Sequence, residues 1–80
     1  MQSSFTYTTK QLIGQRIKFF REKNNLTLEE LADLLGTERQ YIWKVEKGMK
    51  NIRLDNLDKI IIALKCKHED FLVNSNHNPK

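Results

Sequence analysis

Apolar residues recur along this chain at helical intervals, in separate runs divided by Asn, Gly and polar connections. In the first run Ile13, Ile17 and Phe20 stand at i, i+4 and i+7, which puts them on one face of a helix. The pattern Thr8-x-x-Gln11 fits a capping box and starts that helix near Thr8. Asn24 and Asn25 end it, because Asn tolerates the left-handed conformation at helix C-termini. The second run, Leu28, Leu31, Ala32 and Leu35, has a full start signal: Thr27 as N-cap, Glu30 closing a capping box, and Leu26 with Leu31 as a hydrophobic staple. Ala32 is small where a neighbouring helix must come close, and Gly36 allows a sharp turn. A third helix is predicted from Thr37 or Glu38, with Thr37-x-x-Gln40 as another capping box, Ile42 and Val45 facing inward, and Gly48 as its end.

The polar connection Met49-Lys-Asn-Ile-Arg53 leads to a fourth run, in which Leu54, Leu57, Ile60, Ile61 and Leu64 form the inner stripe. A short final turn around His68–Leu72 is expected to pack Phe71 and Leu72. Strand-type alternation is absent from the sequence, and so are internal repeats. The pattern therefore predicts an all-α protein, a compact bundle of about five helices. One domain is expected over residues 8–73, between a flexible arm at 1–7 and a disordered tail at 74–80. The arm carries no arginine, so it is not expected to track a DNA minor groove.

The third helix has a second face that a plain surface helix would not need. Arg39 with Trp43, and Gln40 with Lys44, are i, i+4 pairs, which gathers a basic, polar and aromatic group opposite Ile42 and Val45. Two short helices joined by a Gly turn, the second bearing such a face, form the helix-turn-helix pattern, whose second helix enters the DNA major groove.

Charge agrees with that reading. Residues 1–26 carry five basic groups against Glu22, net +4; residues 27–37 are net −3; residues 38–53 are net +3; the remainder balances. The basic excess thus sits in the first helix and around the third, as a polyanion partner requires. Eighty residues make one small domain, for which self-association adds stability. No stretch of about 18 apolar residues suggests a membrane span, and no signal peptide opens the chain. A single cysteine, Cys66, forms no internal disulfide, so a cytoplasmic, nucleoid-associated location is expected, with no membrane contact.

Catalytic chemistry finds no support. Cys66, His68 and His77 fall short of the four ligands at defined spacing that a closed zinc site needs, and Cys66 is expected to pack as a small apolar residue. Neither a Ser/His/Asp or Cys/His arrangement nor a Gly-rich phosphate loop is present. The expectation is a protein that is no enzyme, with no metal, cofactor or small-molecule ligand.

Leu26-Thr-Leu-Glu-Glu-Leu-Ala32, Gly36, Tyr41-Ile-x-Lys-Val-Glu-Lys-Gly48, Asn51-Ile-x-Leu-x-x-Leu57 and Ile60 to Leu64 occur in order, and together they resemble the Cro/cI-type (Xre-like) helix-turn-helix regulators. Glu38-Arg-Gln-Tyr-Ile42 and Asn51-Ile-Arg-Leu54 are further similar to the controller proteins of restriction–modification systems. The resemblance spans about residues 12–72 and implies a lambda-repressor-like fold, a homodimer on a palindromic or near-palindromic operator, and double-stranded DNA as partner. It places base contacts on Arg39, Gln40, Trp43 and Lys44, with Glu38 at the edge. Trp43 stands where the family more often has a small polar residue, and Leu28 where it often has a bracing Gln. Phosphate contacts are then expected from Arg16, Lys18, Thr27, Leu28, Tyr41, Lys47, Lys50 and Asn51. Arg21 and Glu46 are implied as an internal ion pair.

Ile62 lies off the inner stripe and is read as part of a dimer interface with Phe71 and Val73. Two alternatives stand beside the regulator reading. One is the DNA-binding component of a toxin–antitoxin pair; the other is a protein-interaction module that uses the same helix face on an acidic partner, with Trp43 as anchor.

Overall fold

The computed structural model describes residues 7–72, without the side chain of Leu72, so the arm, the tail and Val73 lie outside it. Five helices follow in order: α1 (Thr9–Lys23), α2 (Leu28–Leu35), α3 (Arg39–Glu46), α4 (Leu54–Ala63) and α5 (Glu69–Leu72). No strand occurs among the described residues.

Two of the three expected capping boxes form. Thr8 accepts from the Gln11 amide at 3.2 Å while its own N–H donates to Gln11 Oε1 at 2.8 Å. Thr27 and Glu30 repeat the exchange at 3.0 and 2.8 Å. The third does not form: the N-cap of α3 is Glu38, with no side-chain capping bond. Thr37 is already engaged in closing α2, its N–H donating to the Ala32 carbonyl at 2.9 Å.

That closure recurs. Asn25, Gly36, Gly48 and Lys65 all adopt positive φ, between 58° and 73°. After each, the next N–H reaches back five residues: Leu26 to Arg21, Thr37 to Ala32, Met49 to Lys44 and Cys66 to Ile61. This is the Schellman arrangement, which satisfies carbonyls that a helix end would otherwise leave bare. Each of the four longer helices is thus stopped by the same device, and the turns that aim them are fixed by backbone bonds.

Ile17, Leu31, Ala32, Ile42, Val45, Leu57, Ile60, Ile61, Leu64 and Phe71 are buried together. Ile13, Phe20, Leu26, Leu28 and Leu35 pack partly buried around them, as the periodicity predicts. Asn24 adds a tie between helices, its Nδ2 donating to Phe20 O at 2.7 Å and Leu64 O at 3.0 Å. Cys66 is half-buried, its thiol toward the Ile61 carbonyl, and burial pushes its pKa up.

Two expectations need correction. Leu54 is 76% exposed. It is the first residue of α4, with no preceding turn to pack beneath, and Ile52 in the connection packs on the core instead. Phe71, expected at a dimer interface, belongs to the core of its own chain at 8% exposure, its ring 5.8 Å from that of Phe20. So little free surface leaves it unable to contribute much to a second copy.

Candidate nucleic-acid interface

α3 is sunk along one side and open along the other. Ile42 and Val45 are buried, while Arg39, Gln40, Trp43 and Lys44 are exposed. At 100° per residue these four span an outward arc, with Tyr41 at one margin and half-buried. The expected base-reading residues therefore share one surface. Glu38 stands exposed at the N-terminal end of that surface, its carboxylate free of any capping bond.

Two features hold α3 against α1. Arg21 Nε donates to Glu46 Oε2 at 2.6 Å and Nη2 to Oε1 at 3.1 Å, a two-pronged pair. The two side chains are only 9% and 5% exposed. Arg21 Nη1 also donates to the Leu26 carbonyl at 2.8 Å, so the same guanidinium ties α1, the α2 approach and the end of α3. The hydrogen bond with Glu46 raises the Arg21 pKa above the ordinary arginine value, against the opposing pull of burial.

The second feature is Gly14. A Cβ at this position would fall against the Val45 carbonyl oxygen and 2.6 Å from that of Glu46. α1 therefore passes so close to the backbone of α3 that only glycine fits. The sequence carried a signal for it: glycine in a helix interior costs about 1 kcal/mol relative to alanine and so tends to have a packing reason.

A surface groove of about 380 Å³ runs between α1 and α3, with Gln15, Lys18, Leu28, Trp43 and Lys47 on its walls and Arg21, Glu22 and Glu46 also lining it. It brings together Lys18, Leu28, Trp43 and Lys47, which the sequence left on three separate helices. Gln15 joins them unforeseen. Lys47 Nζ lies 5.6 Å from the centre of the Trp43 ring. On the far margin of α3, Lys50 Nζ lies 5.8 Å from the Tyr41 ring, and Asn56 Nδ2 donates to the Tyr41 hydroxyl at 3.0 Å. Arg16 is half-buried and Asn51 exposed; neither lines the groove.

Thr27 is less open than expected as an anion contact. Its N–H and the Glu30 N–H are both taken by the capping box. That leaves Leu28 and Glu29 as the first-turn amides without an intrahelical partner, beside the carboxylates of Glu29 and Glu30. Among the described residues no group of His, Cys, Asp and Glu is placed to hold a metal ion, and no helix is long and apolar enough to cross a membrane.

Five helices with α2 and α3 joined at Gly36, and an outward arc on the second of them, define a helix-turn-helix domain. A helix-turn-helix family model, HTH_3, matches residues 17–71, and the chain belongs to that family. Among curated relatives, control protein C.BamHI of Bacillus amyloliquefaciens is 37% identical over 68 residues, covering 84% of each chain. Among solved structures, the restriction–modification controller protein C.AhdI from Aeromonas hydrophila superposes with a TM-score of 0.75 at 34% identity, covering 81% of this chain and 98% of that one. The biofilm master regulator SinR, in complex with DNA, matches with a TM-score of 0.69 at 31% identity, covering 75% and 97%.

Proposed function

We propose that this chain is a sequence-specific transcriptional regulator that binds double-stranded DNA as a homodimer, through α3, on a palindromic or near-palindromic operator. It acts by binding and catalyses no reaction. The observation that supports the reading most is the division of α3 into a buried side, fixed by Arg21–Glu46 and Gly14, and an exposed side carrying Arg39, Gln40 and Lys44. A helix that reads base edges must be both rigidly placed and open along such an arc.

Arg39 has the geometry for a two-pronged bond to guanine O6 and N7, and Gln40 for one to adenine N6 and N7. Lys44 supplies a less directional donor. Lys18, Lys47 and Lys50 flank the helix for phosphate contact, with Arg16 and Asn51 further out. The kinship with C.BamHI and C.AhdI supports a controller-type role, in which protein concentration sets promoter occupancy.

Arg39→Ala is expected to cost about 1–3 kcal/mol on the operator and to relax one base position, with little effect on random DNA. Competition binding against single-base operator variants reads both effects. Equal losses on operator and random duplexes would remove Arg39 from base reading.

Ile62 supports the homodimer. It is 74% exposed on α4, and Leu34 of α2 is 61% exposed. Both line one shallow groove with Leu35, Lys59 and Ala63. Large aliphatic groups exposed side by side suit an interface between identical chains, where each copy presents the same patch. Ile62→Glu is expected to leave the fold intact, because the side chain touches little of its own core, and to shift sedimentation from dimer to monomer. Operator binding should weaken with it. An unchanged sedimentation profile would take Ile62 out of the interface.

A further inference from the structure

We propose that Trp43 reads no base and instead seats Lys47, holding its ammonium on the indole face where it meets the DNA backbone. The inference rests on the DNA-binding reading above and assigns Trp43 a positioning role within it. Residues 43 and 47 are one turn apart on the same flank, and the 5.6 Å separation lies within the range of cation–π attraction. The indole is turned to the groove between α1 and α3, where half-buried Leu28 gives it an apolar wall. Only 36% of Trp43 is exposed, against a helix neighbour such as Lys44 that stands free of any partner in the described residues.

The arrangement suits a phosphate contact. A lysine ammonium has three N–H donors and no acceptor. The ring face attracts the charge without taking up those donors, so they stay available to a phosphate oxygen. A lysine already leaning on a ring also has less rotamer freedom to lose on binding. Lys18 lines the same groove from α1, which puts a second positive charge on the rim. The acidic groups there are Glu46, neutralised by Arg21, and Glu22, which lies 3.9 Å from the Arg21 guanidinium. The net field at the rim therefore favours an anion.

Lys50 on Tyr41 forms a separate pair at 5.8 Å on the opposite margin of α3 and serves as an internal reference.

The test is the salt dependence of binding to a labelled operator duplex for wild type, Lys47→Ala, Trp43→Ala, Trp43→Phe, the Trp43→Ala/Lys47→Ala double variant and Lys50→Ala. Each lost phosphate contact flattens the slope of log K against log salt by about 0.9. Lys47→Ala and Trp43→Ala are each expected to show that loss, and the double variant no more than either alone. Trp43→Phe, which keeps a ring, should retain most of the slope. Lys50→Ala should subtract its own increment in every background.

A Trp43→Ala protein with the wild-type slope but altered preference at one base pair would overturn the proposal, as would additive losses in the double variant. A second readout needs no DNA. Trp43 is the chain's one tryptophan, so its emission should change in Lys47→Ala and stay the same in Lys50→Ala. An emission indifferent to Lys47 would overturn the seating itself. Failure of the wild type to bind any duplex would overturn the DNA reading and the proposal with it, and only that outcome is visible before any variant is compared.

Discussion

Arg21→Ala is expected to lower stability by about 3–5 kcal/mol, because it leaves the Glu46 carboxylate buried without its partner. Glu46 is only 5% exposed, and its two oxygens accept from Arg21 at 2.6 and 3.1 Å. The Leu26 carbonyl loses its guanidinium donor in the same step. In a domain of this size about 1 kcal/mol corresponds to 4–8 °C, so the melting temperature should fall by about 12 °C or more. Small domains hold only a few kcal/mol in reserve, and much of the variant should be unfolded near body temperature. Removing both charges together is a different experiment. A paired change of Arg21 and Glu46 to apolar residues of similar volume strands no charge, and buried pairs replaced this way are often as stable as before. Recovery in Arg21→Met/Glu46→Leu would therefore assign the single-variant loss to the orphaned carboxylate. A thermal melt of Arg21→Ala within a degree or two of wild type would remove the pair from any structural role.

The second large effect is expected at Gly14. Alanine in a helix interior is normally preferred over glycine by about 1 kcal/mol. Here its methyl group would press on the carbonyl oxygens of Val45 and Glu46, which are backbone and cannot turn aside. Overpacking of this kind costs about 1–3 kcal/mol, and a rigid neighbour puts it at the upper end. The balance predicts a net loss of about 2 kcal/mol for Gly14→Ala, read by denaturant unfolding. Because the displaced element is α3, operator affinity should fall further than stability alone explains, even under conditions where the variant is fully folded. A variant as stable as wild type would mean that α1 and α3 can separate at little cost.

These two sites show what the chain disclosed as sequence and what it kept back. The core stripes of α1, α2 and α4 were legible because the helical period alone selects Ile17, Leu31, Leu57, Ile60 and Leu64. The boxes at Thr8 and Thr27 were legible because cap and acceptor sit three residues apart in the chain. The box at Thr37 was misread because a local pattern does not register that the previous helix has already claimed that residue's N–H. Leu54 was misread because periodicity assumes a turn on either side, and the first residue of a helix has one on only one side.

At the interface, Arg39, Gln40, Trp43 and Lys44 follow from i, i+4 spacing and share an exposed arc. The groove that unites Lys18 and Leu28 with Trp43 and Lys47 was beyond reach, since it depends on how closely α1 and α3 approach. That approach is set by Gly14, whose mid-helix position was the one sequence clue. The two residues that depart from the family pattern, Leu28 and Trp43, thus prove to line one groove.

The central claim, paired reading of DNA by two copies of α3, is tested most directly by selecting bound duplexes from a random pool. The account predicts enrichment of two inverted half-sites whose centres lie about 10 base pairs apart, or a multiple of that, with guanine and adenine at the positions facing Arg39 and Gln40. Recovery of duplexes with no shared sequence, or of a single unpaired half-site, would contradict it.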